Sequence, residues 1–346
     1  MVPRGVRSKL SALVLRLTLG AYRFVAHRTS TYAARDAVLA YAAPTALILT
    51  LATWLGLLFL GFTFLLFSFS PLDWAASFRE AGSSLFTLGF ASTDRGQLTA
   101  VDFLAAATGP VVVGLLIGYL PSLYAAYNRR EVDVALLYAR GGEPNWGPEI
   151  IGRHAIVNSG GELSTLWRDW ERWAADVAES HTNYPVLIHV RSAQPNRNWL
   201  VALLAVLDSA AFELACNPQH PQGAARVALR QGIVALHDIA RAEGIEVEDD
   251  PDPDDDIVLT YEQFAEAHRM LTEFGYSAGR SAEDAWPHFR GWRVNYEHAA
   301  YELARRIDAV PAPWSGPRTP PLPVIEPYRP VNRMPGGRTG RPVPGE

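Results

Sequence analysis

The residues able to do chemistry are scattered through this chain of 346 residues. Its nine histidines, His27, His154, His181, His189, His220, His237, His268, His288 and His298, include no His-Glu-x-x-His spacing, so no helix face presents two ligands and a base together. No serine nucleophile elbow, phosphate loop or dinucleotide glycine pattern occurs, and Ser159, Gly160 and Gly161 read as a turn before a helix. Cys216 is the only cysteine, which excludes an intrachain disulfide and a Cys-based zinc site and fits a small buried side chain. Residues 246–256 hold eight acids in eleven positions, with Asp250, Asp252, Asp254 and Asp256 at the odd positions that calcium loops use. The loop lacks the other marks of such a site. Asp255 stands at the glycine position, Tyr261 at the twelfth, and Pro251 and Pro253 stiffen it, so it reads as a solvated interhelical loop. No enzyme, no cofactor and no resident metal are expected.

Charge and hydropathy divide the chain. Residues 1–128 carry nine Lys or Arg against five Asp or Glu, and residues 129–346 carry 22 against 31. No basic stripe suited to nucleic acid follows from this. Residues 37–72 are uncharged, and 36 residues of helix reach about 54 Å, enough for one membrane span of about 30 Å but not for two. The first span is placed near residues 43–68, with Pro44 close to its start. A second uncharged run, residues 103–128, ends at Arg129 and Arg130 and reaches about 39 Å as helix. Seven basic residues precede the first span, the segment between the spans has only Arg79 and Arg95 beside four acids, and Arg129, Arg130 and Arg140 follow the second. The positive-inside rule then puts both termini in the cytoplasm, as a multi-pass protein of the cell (inner) membrane with the lipid bilayer as its solvent.

Lys9, Arg16 and Arg23 recur every seven residues, opposite Leu10, Leu13, Val14, Leu17 and Phe24, which describes an interfacial helix in a basic N-terminal segment, 1–36. The alternative is a cytoplasmic helix packed on the soluble domain. Between the spans, residues 75–86 read as a short amphipathic helix leading into Thr87, Leu88, Gly89, Phe90 and Ala91 and a polar turn from Ser92. A half-length helix that enters lipid and returns as irregular chain must be sheltered by other protein or line water. In a chain with two spans, that shelter requires oligomerisation.

The order Ser83, Ser84, Leu85, Phe86, Thr87, Leu88, Gly89, Phe90 between two such spans resembles the tetrameric potassium-channel superfamily in its minimal form of outer helix, re-entrant pore loop and inner helix. The resemblance covers residues 38–130. It implies a homotetramer in which the carbonyls of Thr87, Leu88, Gly89 and Phe90, with the Thr87 hydroxyl, line a selectivity filter for a monovalent cation, potassium in the family. Ala91 stands where the family usually has a second glycine, and Ser92 where it has an acid, so a wider and less selective filter is implied. Asp94 and Asp102 are candidates for an acidic ring at the outer mouth, or else solvated loop and cap residues. The inner span carries Gly109, Pro110, Gly114 and Gly118, with Pro121 near its cytoplasmic end. By the resemblance Gly109 and Gly114 are gating hinges, and the competing reading is close helix packing.

The expected fold is therefore an all-α membrane protein, with a pore region at 37–130 and a mostly helical cytoplasmic domain at 131–310. In that domain Trp167, Trp170 and Trp173, with Leu163, Leu166 and Val177, form an apolar helix face. Tyr184 to Val190 reads as a β-like run, a helix begins near Asn196, and further helices cover 222–243, 261–275 and 282–308, with a capping box at Thr260 and Gln263. Residues 184–208 resemble a block in bacterial channel-like membrane proteins, and Arg191 and Asp208 are expected to pair within the domain. From Pro311 onward eleven of 36 residues are proline, and this tail is expected to be disordered. The leading reading is a homotetrameric cation channel, assembled or regulated by its cytoplasmic domain. The other is a membrane-anchored helical sensor or scaffold without a conducting pore.

Overall fold

The computed structural model describes residues 8–69, 72–91, 96–156 and 162–316. Every regular element among them is helical, and no strand occurs. The chain divides into two compact units, Met1–Tyr127 and Asn128–Glu346. Three helices are long and apolar enough to cross a membrane, and they differ in what surrounds them. Two have few buried residues in their apolar stretches, whereas the third, Trp199–Cys216, is buried along its length and is a core helix.

In the first unit α1 (Lys9–Ala26) and α2 (Tyr32–Ala40) begin at the hydroxyl caps Ser8 and Thr31, whose side chains accept from the N–H of Ser11 and Ala34. α3 (Ala42–Phe69) follows with no charged residue, close to the span expected at 43–68. The α1 helix packs along α3. Its Tyr22 hydroxyl lies 2.8 Å from Thr45 Oγ1, and the Trp54 indole N–H donates to Ser11 Oγ at 3.4 Å, so the two helices run antiparallel over residues 45–54 of α3. Leu13, Leu17 and Phe24 face outward from this pair. After α4 (Trp74–Leu85) comes α5 (Gly96–Gly141), a helix of 46 residues. The second span was expected to stop at Arg129, but α5 continues through the charges because Arg, Glu and Leu are good helix formers in water. Pro110 and Pro121 lie inside it.

The second unit consists of the end of α5 with α6 (Gly147–Ile156), α7 (Leu163–Asn183), α8 (Trp199–Cys216), α9 (Gly223–Ala242), α10 (Tyr261–Glu273), α11 (Ala282–Arg293) and α12 (Glu297–Ile307). Every residue of α8 is buried, and the other helices wrap it. The tryptophan face of α7 is core, as its spacing predicts, with the Trp167 indole donating to Ser209 Oγ at 3.1 Å and that of Trp173 to the Arg130 carbonyl at 3.0 Å. The capping box forms: Gln263 N–H donates to Thr260 Oγ1, and Thr260 N–H to Gln263 Oε1. Cys216 is fully buried, which pushes its thiol pKa far up.

Four expectations are corrected. Pro185–His189 is a 3₁₀ helix and not a β-like run, because the N–H groups of Leu187 and Val190 bond three residues back and no strand lies beside them among the described residues. The helix expected at 282–308 is two, broken where the Asn295 amide caps the carbonyls of Gly291 and Trp292. Arg191 does not pair with Asp208. It donates to the Ile307 and Asp308 carbonyls at 2.6 and 3.2 Å, satisfying the end of α12. The start of the proline-rich tail is ordered, with Ala312 and Trp314 buried, and residues 317–346 lie outside the described residues.

The true partner of Asp208 is Arg293, whose guanidinium is fully buried. It donates to Asp208, to Glu297 Oε1 at 2.9 Å, to the Tyr301 hydroxyl at 2.9 Å and to the Trp314 carbonyl at 2.6 Å. Asp208 also accepts from Tyr296, and Glu297 accepts from the N–H groups of Val258 and Leu259 at 2.5 and 3.1 Å. Two carboxylates thus share one cation in a fully buried site. Burial, helped by Glu297 and opposed by Arg293 and Tyr296, pushes the Asp208 carboxyl up to about 6 from 3.8. The folded chain therefore holds a proton over about pH 4 to 6 that the unfolded chain has lost. This contribution is complete below the unfolded value and fades as pH rises through about 6. Asp208→Asn should flatten the thermal stability of the full chain against pH across that window. An unchanged slope would show that Asp208 is ionised throughout.

Candidate functional site

The segment between the two exposed apolar helices is built from α4 outward. Asp73 starts the helix, its carboxylate accepting from Ala76 N–H at 2.7 Å. One face of α4 packs on α3: Ala81 meets Leu66 in a cluster joined by Phe59, Phe62 and Val101, and Phe78 meets Phe59 edge-on at 4.5 Å. Trp74 lies against Phe64 and Phe67. Ser77, Glu80 and Ser83 are buried as well, so α4 carries more polar groups inward than apolar packing alone would select.

How α4 ends decides the shape of the site. Thr87 N–H donates to the Ser84 carbonyl at 3.0 Å and Leu88 N–H to the Ser83 carbonyl at 2.8 Å, the paired bonds of a Schellman closure. That closure needs a left-handed residue, usually glycine, and here Thr87 occupies it at φ +52°. A β-branched side chain is strained in this conformation. Gly89 is left-handed too, at φ +71°, where glycine is at ease. The Thr87 hydroxyl donates to the Phe86 carbonyl at 2.8 Å, and Ala91 N–H donates to Ser83 Oγ at 3.0 Å, returning the chain to α4. The turn is outward and apolar: Phe86, Leu88 and Phe90 are 49%, 61% and 59% exposed.

Thr87, Leu88, Gly89, Phe90 and Ala91 are thus brought together in one tight exposed turn. Asp102 is not at its tip, because its carboxylate accepts the Ser84 hydroxyl at 2.6 Å on the side of α4. Asp94 lies outside the described residues. The Gly109 backbone touches α4 so closely that a Cβ there would sit 1.9 Å from the Leu85 carbonyl oxygen, whereas one at Gly114 would meet nothing within 4 Å. The parts played by Ser83 and Ser84 were not expected from the sequence. Their only local signal is a pair of hydroxyls in the last turn of a short helix.

The charged groups elsewhere form no second centre. Among the described residues there is no group of three His, Cys, Asp or Glu placed to hold a metal ion. In the acidic loop Asp249 pairs with Arg241 and Asp254 with Arg290, while Asp252 and Asp255 accept backbone N–H groups of their own turn. His181, buried against Arg130 at 3.1 Å, is held well below the usual histidine range by burial and by that cation. Arg130 also donates to the carbonyls of Leu187 and Val190, at 2.9 and 2.8 Å, which makes this cluster a brace for the 3₁₀ segment. Comparisons with protein-family models, with curated proteins and with solved structures found no match.

Two outcomes follow from this geometry. Thr87→Gly relieves the left-handed strain and should stabilise the purified protein by about 1 kcal/mol, seen as a higher Tm; a lower Tm would mean that the threonine side chain outweighs its strain. Gly109→Ala should destabilise by about 1–3 kcal/mol by driving α4 and α5 apart, while Gly114→Ala should be neutral or slightly stabilising. Equal Tm values for the two alanine variants would remove Gly109 as a contact residue.

Proposed function

We propose that this chain is one subunit of a homotetrameric cation channel, with the pore from residues 38–128 and both termini in the cytoplasm. The observation that carries the reading is the exposed Thr87–Phe90 turn, held at the end of a short capped helix between two apolar helices with bare surfaces. Peptide groups in such a turn cannot face hydrocarbon, where each unsatisfied group costs several kcal/mol. Shelter by three further copies around an axis resolves this, and the same arrangement turns carbonyls of residues 87–90 towards a water-filled path where they replace the hydration shell of a cation. Ala91 in place of glycine disfavours the left-handed geometry there, so the outer filter is wider and discriminates less between potassium and sodium. The helical second unit assembles or regulates the pore.

The full chain reconstituted in proteoliposomes should conduct monovalent cations and migrate as a tetramer. Gly89→Val, which forbids the left-handed backbone and crowds four copies around one axis, should abolish the current. Ala91→Gly should raise the preference for potassium over sodium, and the tetramer should survive both changes. Current through Gly89→Val equal to that of the parent would separate residues 87–91 from the permeation path. A tetramer or smaller assembly with no conductance would leave a membrane-anchored scaffold.

A further inference from the structure

We propose that Ser83, Ser84 and Asp102 form a clasp that positions the 87–91 turn, so that Asp102 governs the turn from behind and does not belong to an acidic ring at the outer mouth. The inference deepens the channel reading and rests on it for its consequence, though not for its geometry. Adjacent residues on a helix point about 100° apart, so two neighbouring serines can reach two different partners. Ser83 Oγ accepts from Ala91 N–H at 3.0 Å and ties the returning limb of the turn to α4. Ser84 Oγ donates to Asp102 Oδ1 at 2.6 Å, the short distance of a hydrogen bond to a carboxylate, and ties the same turn of α4 to α5.

The last turn of α4 is therefore held on two sides, and the turn it carries cannot move independently of α5. Seven residues along α5, on the same face as Asp102, Gly109 lies against the Leu85 carbonyl, and Ala105 between them is buried. A displacement of α5 at this face shifts Leu85 and the turn together. Asp102 is thus a positioning residue for the filter segment, acting through Ser84.

The test uses the full chain in proteoliposomes with Cys216→Ser, a single reporter Leu88→Cys and a membrane-impermeant maleimide outside. Ser84→Ala and Asp102→Ala should each raise the reporter labelling rate about fivefold, and the double variant should label no faster than either single one, as coupled residues do. Asp102→Asn keeps an acceptor oxygen for the Ser84 hydroxyl and should label near the parent rate. Cation flux measured on the same vesicles should lose potassium preference in the two alanine variants and keep it in Asp102→Asn. Unchanged labelling in both alanine variants, or effects that multiply in the double variant, overturns the clasp, as does an Asp102→Asn rate matching Asp102→Ala. A parent that carries no flux but shows the coupled labelling removes the channel reading and supports the clasp.

Discussion

Lipid offers no partner to a peptide group, and the first unit, with two helices long and apolar enough to cross a membrane, is built in keeping with that constraint. Its long apolar stretches are continuous helices, whose N–H groups beyond the first turn find their acceptors inside the segment. Where the backbone must leave helical geometry, at the end of α4, side chains and left-handed residues take over the accounting. Asp73 satisfies the start of α4, the Schellman bonds at Thr87 and Leu88 satisfy its end, and Ser83 collects the Ala91 N–H. The strain at Thr87 is the visible cost of closing a helix with a residue other than glycine.

The second unit solves a related problem with charge. A core helix as apolar as α8 would pack in many registers if only hydrophobic contact held it. Asp208 in its middle is bonded by Arg293 and Tyr296 at the ends of two other helices, and Arg293 in turn donates to the carbonyl of Trp314. Removing one member leaves the rest buried and unpaired, which is costly. The node therefore fixes where α11, α12 and the segment after them lie against α8. Arg293 at the end of α11 and Glu297 at the start of α12 both reach the buried site across the break between the two helices.

The limits of reading this chain from its sequence follow from the range over which each signal acts. The bounds of α3 come from an uncharged apolar run, and the short helix before Thr87, the tryptophan face of α7 and the Thr260 box from periodicity or caps within a few residues; the structure has them close to where they were expected. Partners distant in sequence were not legible. Asp208 has 30 arginines to choose from, and Arg191 was nearer in sequence than Arg293, 85 residues away. Asp102 near the start of a span looks like a solvated acid until Ser84 is placed beside it. The β-like reading of Tyr184 to Val190 failed because β-branched residues show a preference that needs a neighbouring strand. The extension of α5 was missed because charges end a membrane span but do not end a helix.

The composition of α8 has a consequence for biogenesis. Its 18 residues leave the ribosome as a segment apolar enough, by length and composition, to cross a membrane, after two others of which the same is true. Its cover includes α11 and α12, which are synthesised more than 60 residues later. During that interval the acids of α8 itself oppose insertion. Asp208 near the centre of the segment adds about 2.5–3.5 kcal/mol to the cost of entering the bilayer, and Glu213 adds to it nearer the end. The carboxylate that locks the folded core thus also makes α8 a poorer substrate for insertion than its apolar composition alone would make it.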